Sequence, residues 1–330
     1  MMRRIGWMVM GLCLTGCGGG LELTKVDAAY KRPSNVALFF TVHTRGEDPV
    51  PGLSEDDFRI YEDDALISPD ESKQTIVSQE VAAEHYTLLL VDMSGSVTES
   101  DDVDLIVDAA QSFTSSLESH QRVAVYAFDG SEEIHPMQRF TRSGGAGAAG
   151  LSRLRGFRPK DPSTNLYGAL VRGVEELENA MAGSDAALTF GTLVVFTDGT
   201  DRAARVTYAE MDDILDEADH DVFAIGVGNE IDEDKLSDIG REGHVFVSNS
   251  AEIQRAFEEV SENIIGYTQS YYLLSYCSPA RAGTHEVTVE AVTEEASGSL
   301  TYEFDAEGFG PGCDPSQPPP FRTDAKQQSR

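Results

Sequence analysis

Apolar residues follow three different periods along this chain. Over 35–82 they come in short runs and alternations. The stretch 36–42 is almost continuously apolar, 57–61 (DFRIY) alternates, and so does 75–77. Such patterns predict strands, and Gly46, Pro49, Pro51 and Gly52 supply the turn chemistry between them. From about His85 the pattern changes. The run 86–91 is the kind of strand that is buried on both faces. Val103, Ile106, Val107, Ala110, Phe113 and Leu117 then recur at helical spacing. Leu166, Ala169, Leu170, Val174 and Leu177 lay a second apolar stripe along a helix over 165–181. Further strands are predicted at 123–128, 134–140, 193–196, 222–227 and 244–247, and further helices at 208–218 and 251–267. Strands alternating with helices predict a parallel, doubly wound sheet covered on both faces. Strand patterns return at 270–276 (SYYLLSY), 285–292 (HEVTVEAV) and 299–304 (SLTYEF).

The expected fold class is therefore α/β, with a mostly parallel sheet over 84–268. Two β-rich segments, 35–83 and 269–313, flank it. Neither is long enough to make a sandwich alone, so they are expected to pair into one small β-sandwich-like domain around the α/β unit. Residues 17–34 are expected to be a linker. The polar, Pro-rich stretch 314–330 (DPSQPPPFRTDAKQQSR) is expected to be a disordered tail.

The first twenty residues, MMRRIGWMVMGLCLTGCGGG, have the order of a targeting segment. Arg3 and Arg4 precede an apolar run at 5–14 that is too short to span a bilayer. Leu14-Thr15-Gly16-Cys17 resembles a bacterial lipobox. That resemblance implies a signal peptide at 1–16, cleavage before Cys17 and a diacylglycerol on its thiol. It places the protein in a bacterial envelope, membrane-bound through its N-terminal lipid. Gly18, where enteric sorting would read Asp as a retention signal, implies the outer membrane.

The chain has 330 residues, enough for about two domains at ~150 residues each. It carries 57 Asp and Glu against 25 Lys and Arg, a net charge of −32. That balance argues against nucleic acid as a partner, since nucleic-acid surfaces are recognised by clustered Lys and Arg. Removing 1–16 takes away Arg3 and Arg4, so the net charge of −32 becomes −34. It also removes Cys13, and lipidation uses Cys17. Cys277 and Cys313 remain, either unpaired or joined in an oxidising envelope. A bond between them would close a loop of about 37 residues, worth ~3–4 kcal/mol in the chain-entropy account.

Oxygen-bearing side chains gather where the predicted strands end. Asp92-Met93-Ser94-Gly95-Ser96 follows the first doubly buried strand, and Gly95 permits a tight turn. Ser163-Thr164-Asn165 precedes the helix at 165–181. Thr197-Asp198-Gly199 follows the strand at 193–196. In a doubly wound fold, ligands bind outside the carboxyl ends of the strands. Carboxylates and hydroxyls without His or Cys suit a hard divalent cation that keeps some of its water.

This constellation resembles the von Willebrand factor type A domain with its metal-ion-dependent adhesion site. That site has the pattern D-x-S-x-S, a distant Thr and a distant Asp. The resemblance covers residues 84–268 and implies metal ligation by Asp92, Ser94, Ser96, Thr164 and Asp198. It implies Mg²⁺ before Mn²⁺ or Ca²⁺, and a protein partner that offers an Asp or Glu carboxylate. Pro162-Ser163 stands where the family commonly has a Gly pair, which bears on the mobility of that loop. The segment PVPGL at 49–53 with Asp57-Phe58, and the closing TYEFDAEGF, resemble β modules beside type A domains in bacterial envelope proteins.

Other signals are weaker. Gly145-x-Gly147-x-x-Gly150 formally matches a dinucleotide fingerprint but follows no buried strand. Ser94 lacks the GxSxG setting of a hydrolase nucleophile, and no histidine has a placed role. The sequence thus points to a non-enzymatic, envelope-anchored lipoprotein that binds a protein through a divalent cation. An assembly scaffold without adhesion and a metal-dependent hydrolase are the alternatives.

Overall fold

The computed structural model describes residues 20–77, 83–117, 121–141, 150–186, 188–218, 220–228 and 230–321. The signal segment, Cys17 and most of the Gly145–Gly150 motif lie outside them. Among the described residues no helix is long and apolar enough to cross a membrane.

The central sheet is built from β6 (Ala83–Asp92), β7 (Arg122–Phe128), β8 (His135–Thr141), β9 (Leu188–Thr197), β10 (Asp221–Val227) and β11 (Gly243–Val247). Their order is β11-β10-β9-β6-β7-β8, parallel throughout except for the antiparallel edge strand β8. Successive side chains of a strand point to opposite faces, so its unbroken apolar runs feed two cores. Leu89, Val91, Val123, Val125, Val194 and Phe196 enter one. Helices α1 (Val103–Leu117) and α5 (Ile253–Gln269) cover that core. Leu88, Leu90, Ala124, Tyr126, Leu193 and Val195 enter the other, under α2 (Leu166–Ala182), α3 (Tyr208–Ala218) and α4 (Glu233–Ile239). This is the expected doubly wound sheet. Short α4 carries only Leu236 and Ile239 into the core, too few for a helical period. Its start is fixed instead by Asp232, whose side chain accepts from the N–H of Asp234 at 3.0 Å.

Strand order reverses at β6. The chain leaves β6 for β7 on one side and later returns to β9 on the other. Asp92 ends β6, and Thr197 ends the neighbouring β9. The switch point, where loops diverge and leave a crevice, therefore lies between the loops that carry Asp92 and Asp198.

Two antiparallel sheets adjoin this unit. One has the order β1-β2-β12-β5, from β1 (Leu21–Lys31), β2 (Asn35–Thr44), β5 (Thr75–Val77) and β12 (Tyr271–Cys277). The other has the order β14-β13-β3-β4, from β3 (Phe58–Glu62), β4 (Ala65–Leu66), β13 (Thr284–Val292) and β14 (Ser297–Asp305). They share a core that includes Leu38, Phe40, Tyr272 and Leu274 from the first and Phe58, Ile60, Val287 and Val289 from the second. β5 and β12 pair antiparallel, Leu273 opposite Val77, so the chain enters and leaves the α/β unit side by side. Phe39, Leu273, Ala83 and Leu188 form a smaller apolar cluster at the junction.

Two expectations are corrected. Residues 21–31, expected within a linker, form β1, which pairs with β2 along its length. A register shift between Lys25 and Asp27 interrupts the pairing. It moves the inward positions from Leu21 and Leu23 to Ala28, so the alternation that announces a strand is broken. Residues 314–321, expected to be disordered, are fastened to the first sheet. The Asn35 side-chain amide donates to the carbonyls of Asp314 (2.6 Å) and Gln317 (3.1 Å), and Lys31 Nζ donates to that of Pro318 (3.0 Å). Phe321 is buried beside Phe39. A Pro-rich segment lacks the N–H groups for a strand ladder, and this one is held by its carbonyls instead. Cys277 and Cys313 form a disulfide that pins the start of this segment to the end of β12.

Candidate functional site

β6 delivers Asp92 to its carboxyl end with no exposure to solvent. One carboxylate oxygen, Oδ1, accepts the backbone N–H of Ser94 at 2.9 Å. The other, Oδ2, accepts the hydroxyl of Thr197 at 2.7 Å. The chain then turns through a single helical turn, Gly95–Thr98. Ser94 Oγ and Ser96 Oγ lie 3.2 Å apart, and Ser96 Oγ donates to Asp198 Oδ1 at 3.0 Å. The D-x-S-x-S turn and the β9 loop are thereby joined twice, by the Ser96 hydroxyl on Asp198 and by the Thr197 hydroxyl on Asp92.

The Thr164 loop is locked against both. Gly95 N–H donates to the Pro162 carbonyl at 2.8 Å. A Cβ on Gly95 would stand 3.0 Å from Pro162 Cβ and 3.1 Å from its carbonyl oxygen, so a larger residue there would push the two loops apart by a few tenths of an ångström. The Thr164 carbonyl accepts the N–H groups of Arg202 and Ala203, each at 2.9 Å. Asn165 N–H donates to the Asp129 carbonyl at 3.1 Å. Buried Asp129 braces the other side: its carboxylate accepts from Ser131 N–H and, at 2.6 Å, from Lys160 N–H. Pro162-Ser163, in place of a Gly pair, sits in a loop pinned from three directions. Asp161 Oδ1 holds both the N–H and hydroxyl of Ser163.

The electrostatics of the site are those of two close carboxylates. Burial, and then the charge of Asp198, push the Asp92 carboxyl up to about 7, against the hydrogen bonds from Ser94 and Thr197. Burial also raises Asp198, and Glu230 adds to the rise. Ser96 and Arg202 oppose it. Among the described residues neither Asp92 nor Asp198 belongs to an ion pair. No group of three or more His, Cys, Asp or Glu side chains is placed there to hold a metal. The oxygens gathered at the switch point are instead those of two carboxylates and the hydroxyls of Ser94 and Ser96, with Thr164 on the adjoining loop. That hard-oxygen chemistry fits Mg²⁺ and fits Zn²⁺ or Cu²⁺ poorly.

Ser94, Ser96 and Asp198 are thus linked through their side chains, and Asp92 joins them through the Ser94 N–H. Thr164, buried, is brought alongside by its backbone. Cys277 and Cys313 lie in the β-rich part, and Cys17 lies outside the described residues. Thr197, Arg202 and Asp129 were given no role from sequence. A hydroxyl at the last position of a doubly buried strand was the available signal for Thr197, because nothing apolar is served by it there.

A family model for the von Willebrand factor type A domain matches residues 88–262. Among solved structures, a von Willebrand factor type A protein from Catenulispora acidiphila is similar at 11% identity. Its TM-score is 0.48, and the match covers 90% of this chain and 76% of that one. Proximal thread matrix protein 1 from mussel byssus, solved with a zinc-occupied MIDAS motif, is similar at 15% identity and a TM-score of 0.47. That match covers 56% of this chain, which spans about half the mussel protein's length (48%). The manganese-loaded TRAP protein of Plasmodium vivax is similar at 14% identity and a TM-score of 0.47, over 72% of this chain and 98% of that one. No curated protein matches.

Proposed function

Because this chain belongs to the von Willebrand factor type A family, we propose that it binds a protein partner through a divalent cation held by Asp92, Ser94, Ser96, Thr164 and Asp198. Type A domains are mostly adhesion and interaction modules, and we assign no catalytic residue. The observation that carries the reading is the pair of carboxylates at the switch point. Asp92 is fully buried, Asp198 repels it, and neither forms an ion pair among the described residues. Two close carboxylates beside the hydroxyls of Ser94 and Ser96, with no ion pair of their own, suit a small divalent cation, Mg²⁺ first, with Mn²⁺ and Ca²⁺ also compatible.

Bound there, a divalent cation would supply a positive centre for a carboxylate of the partner. The rest is the work of the chain. Ser94 N–H and Thr197 Oγ1 orient the Asp92 carboxylate. Ser96 orients Asp198. The Gly95–Pro162 contact sets the spacing between the first loop and Thr164.

The proposal extends to the cell. The α/β unit of 84–268 sits on a β module formed by the flanking segments, and the lipobox-like start anchors the protein through Cys17 to the bacterial envelope, in the outer membrane. Mg²⁺ titration of the full chain by calorimetry tests the site. Saturable binding that EDTA reverses and that Asp92→Ala abolishes is expected, and unchanged binding in that variant overturns the assignment. Metal-dependent crosslinking in intact cells separates adhesion to another cell from assembly of an envelope complex. Labelling with a fatty-acid analogue, lost in Cys17→Ser, tests the anchor.

A further inference from the structure

The loop after Asp198 carries an arginine whose position is tied to the site. The N–H groups of Arg202 and Ala203 both donate to the Thr164 carbonyl, so the backbone of Arg202 is fixed relative to a proposed metal ligand. Its guanidinium is paired with the carboxylate of Glu230, and the two side chains are 58% and 59% exposed. Arg202 follows β9 and Glu230 follows β10, its parallel neighbour, so the pair stands at the same edge of the sheet as Asp198.

Charge arithmetic gives this pair its importance. Two carboxylates and a divalent cation sum to zero, and the hydroxyls add nothing. What an occupied site offers an approaching anion beyond the cation itself is therefore set by charges on its rim, and Arg202 and Glu230 are two of them. Arg202 attracts a carboxylate and presents a planar fork of donors that fits one bidentately. Glu230 repels a carboxylate and occupies that fork. An ion pair this exposed holds weakly, because water and salt screen it, so an incoming carboxylate can take Glu230's place.

Resting on the metal-dependent reading above, we propose that Arg202 determines the specificity of the site. Its guanidinium exchanges Glu230 for a second carboxylate of the partner. The surface then selects a protein segment with two neighbouring acidic side chains, one for the cation and one for Arg202. Glu230 is the internal competitor that keeps affinity for single acids low. Two linked carboxylates gain over one because the second binding event is intramolecular.

The test uses the full chain loaded with Mn²⁺, with displacement of metal-bound water followed by proton relaxation. Glutarate and butyrate are compared as probes; they share a short chain and differ in having two carboxylates or one. In the unsubstituted chain glutarate is expected to bind at least fivefold tighter than butyrate. Arg202→Gln reduces that preference to twofold or less, and Glu230→Gln raises both affinities at least threefold. Reading the ratio of two probes on one loaded site separates Arg202 from any general loosening of the loop, which weakens both probes alike. A glutarate preference that survives Arg202→Gln, or Glu230→Gln affinities equal to those of the unsubstituted chain, overturns the proposal and leaves the metal site standing. A chain that takes up no Mn²⁺ overturns the metal-dependent reading itself, and the role of Arg202 with it.

Discussion

Thr197 Oγ1 donates to Asp92 Oδ2 at 2.7 Å across a sequence separation of 105 residues, and neither side chain is exposed. The same oxygen accepts the Gly199 N–H at 3.2 Å. One buried hydroxyl thus joins the last residues of β6 and β9 and sets the rotation of the carboxylate on which the site depends. With Oδ2 held by Thr197 and Oδ1 by Ser94 N–H, Asp92 cannot turn without losing a bond.

Thr197→Val keeps the shape and removes the hydroxyl. It leaves Asp92 Oδ2 and the Gly199 N–H without this partner, a loss of ~1–3 kcal/mol. Mg²⁺ affinity is expected to fall about tenfold or more, by the same free energy, while Thr197→Ser retains most of it. Calorimetric titration of the two variants checks this; equal affinities would show that Thr197 plays no part in orienting Asp92.

Neutralising Asp92 has opposite consequences for binding and for the metal-free fold. Asp92→Asn keeps an acceptor for the Ser94 N–H and removes a buried charge that faces Asp198. In EDTA at pH 8 the variant is expected to be more stable than the unsubstituted chain by ~1–3 kcal/mol. It should gain no stability from Mg²⁺, whereas the unsubstituted chain gains it by mass action. Thermal melts with and without Mg²⁺ decide, and a less stable variant in EDTA would show that the two carboxylates are not in strain.

These variants separate what local sequence reveals from what it hides. Asp92, Ser94 and Ser96 lie within five residues and follow an unmistakable strand, so their convergence was legible. The placement of Thr164 and Asp198 was legible because one precedes a helix start and the other follows a strand end. The bond from Thr197 was not, because it needs the β6–β9 register. The same holds for the contact between Gly95 and Pro162. β1 was hidden by its register shift, and the fastened residues 314–321 by their lack of any periodic pattern. Periodicity reports elements that bury one face regularly, and it is silent on segments held by carbonyls.

At the opposite end of the central sheet, Glu84 supplies a pH-dependent share of stability. Burial pushes its carboxyl up. Hydrogen bonds from Arg122 (2.9 Å), Ser184 (2.7 Å) and Tyr86 (2.9 Å) overcome that and hold it near 2. A carboxyl depressed in the folded state stabilises fully above its ordinary value of 4.5, and the contribution drains away as pH falls toward 2. After allowance for screening by nearby solvent, the share is about 1–2 kcal/mol. Glu84→Gln is expected to lower the urea midpoint at pH 7 and to converge on the unsubstituted chain between pH 4.5 and pH 2. A gap that stays constant over that range would place the stabilisation elsewhere.

The disulfide and the segment it pins make a last, separable contribution. Cys277–Cys313 spans a sequence separation of 36, and beyond it Phe321 enters the cluster that contains Phe39, Ala83 and Leu188. Removing the cross-link by Cys277→Ser with Cys313→Ser restores the loop entropy of the unfolded chain, a loss of about 3–4 kcal/mol in the chain-entropy account. Phe321→Ala removes one buried ring at the junction and leaves the cross-link. Large-to-small changes of this kind typically cost ~3–5 kcal/mol in a full core, and less where the site is at the end of a segment that can collapse. Neither position adjoins the proposed metal ligands, so both variants are expected to bind Mg²⁺ with unchanged affinity while unfolding at lower urea. A loss of Mg²⁺ affinity in Phe321→Ala, with the chain still folded, would instead mean that packing at the junction of the β-rich part and the central sheet is coupled to the far ends of β6 and β9.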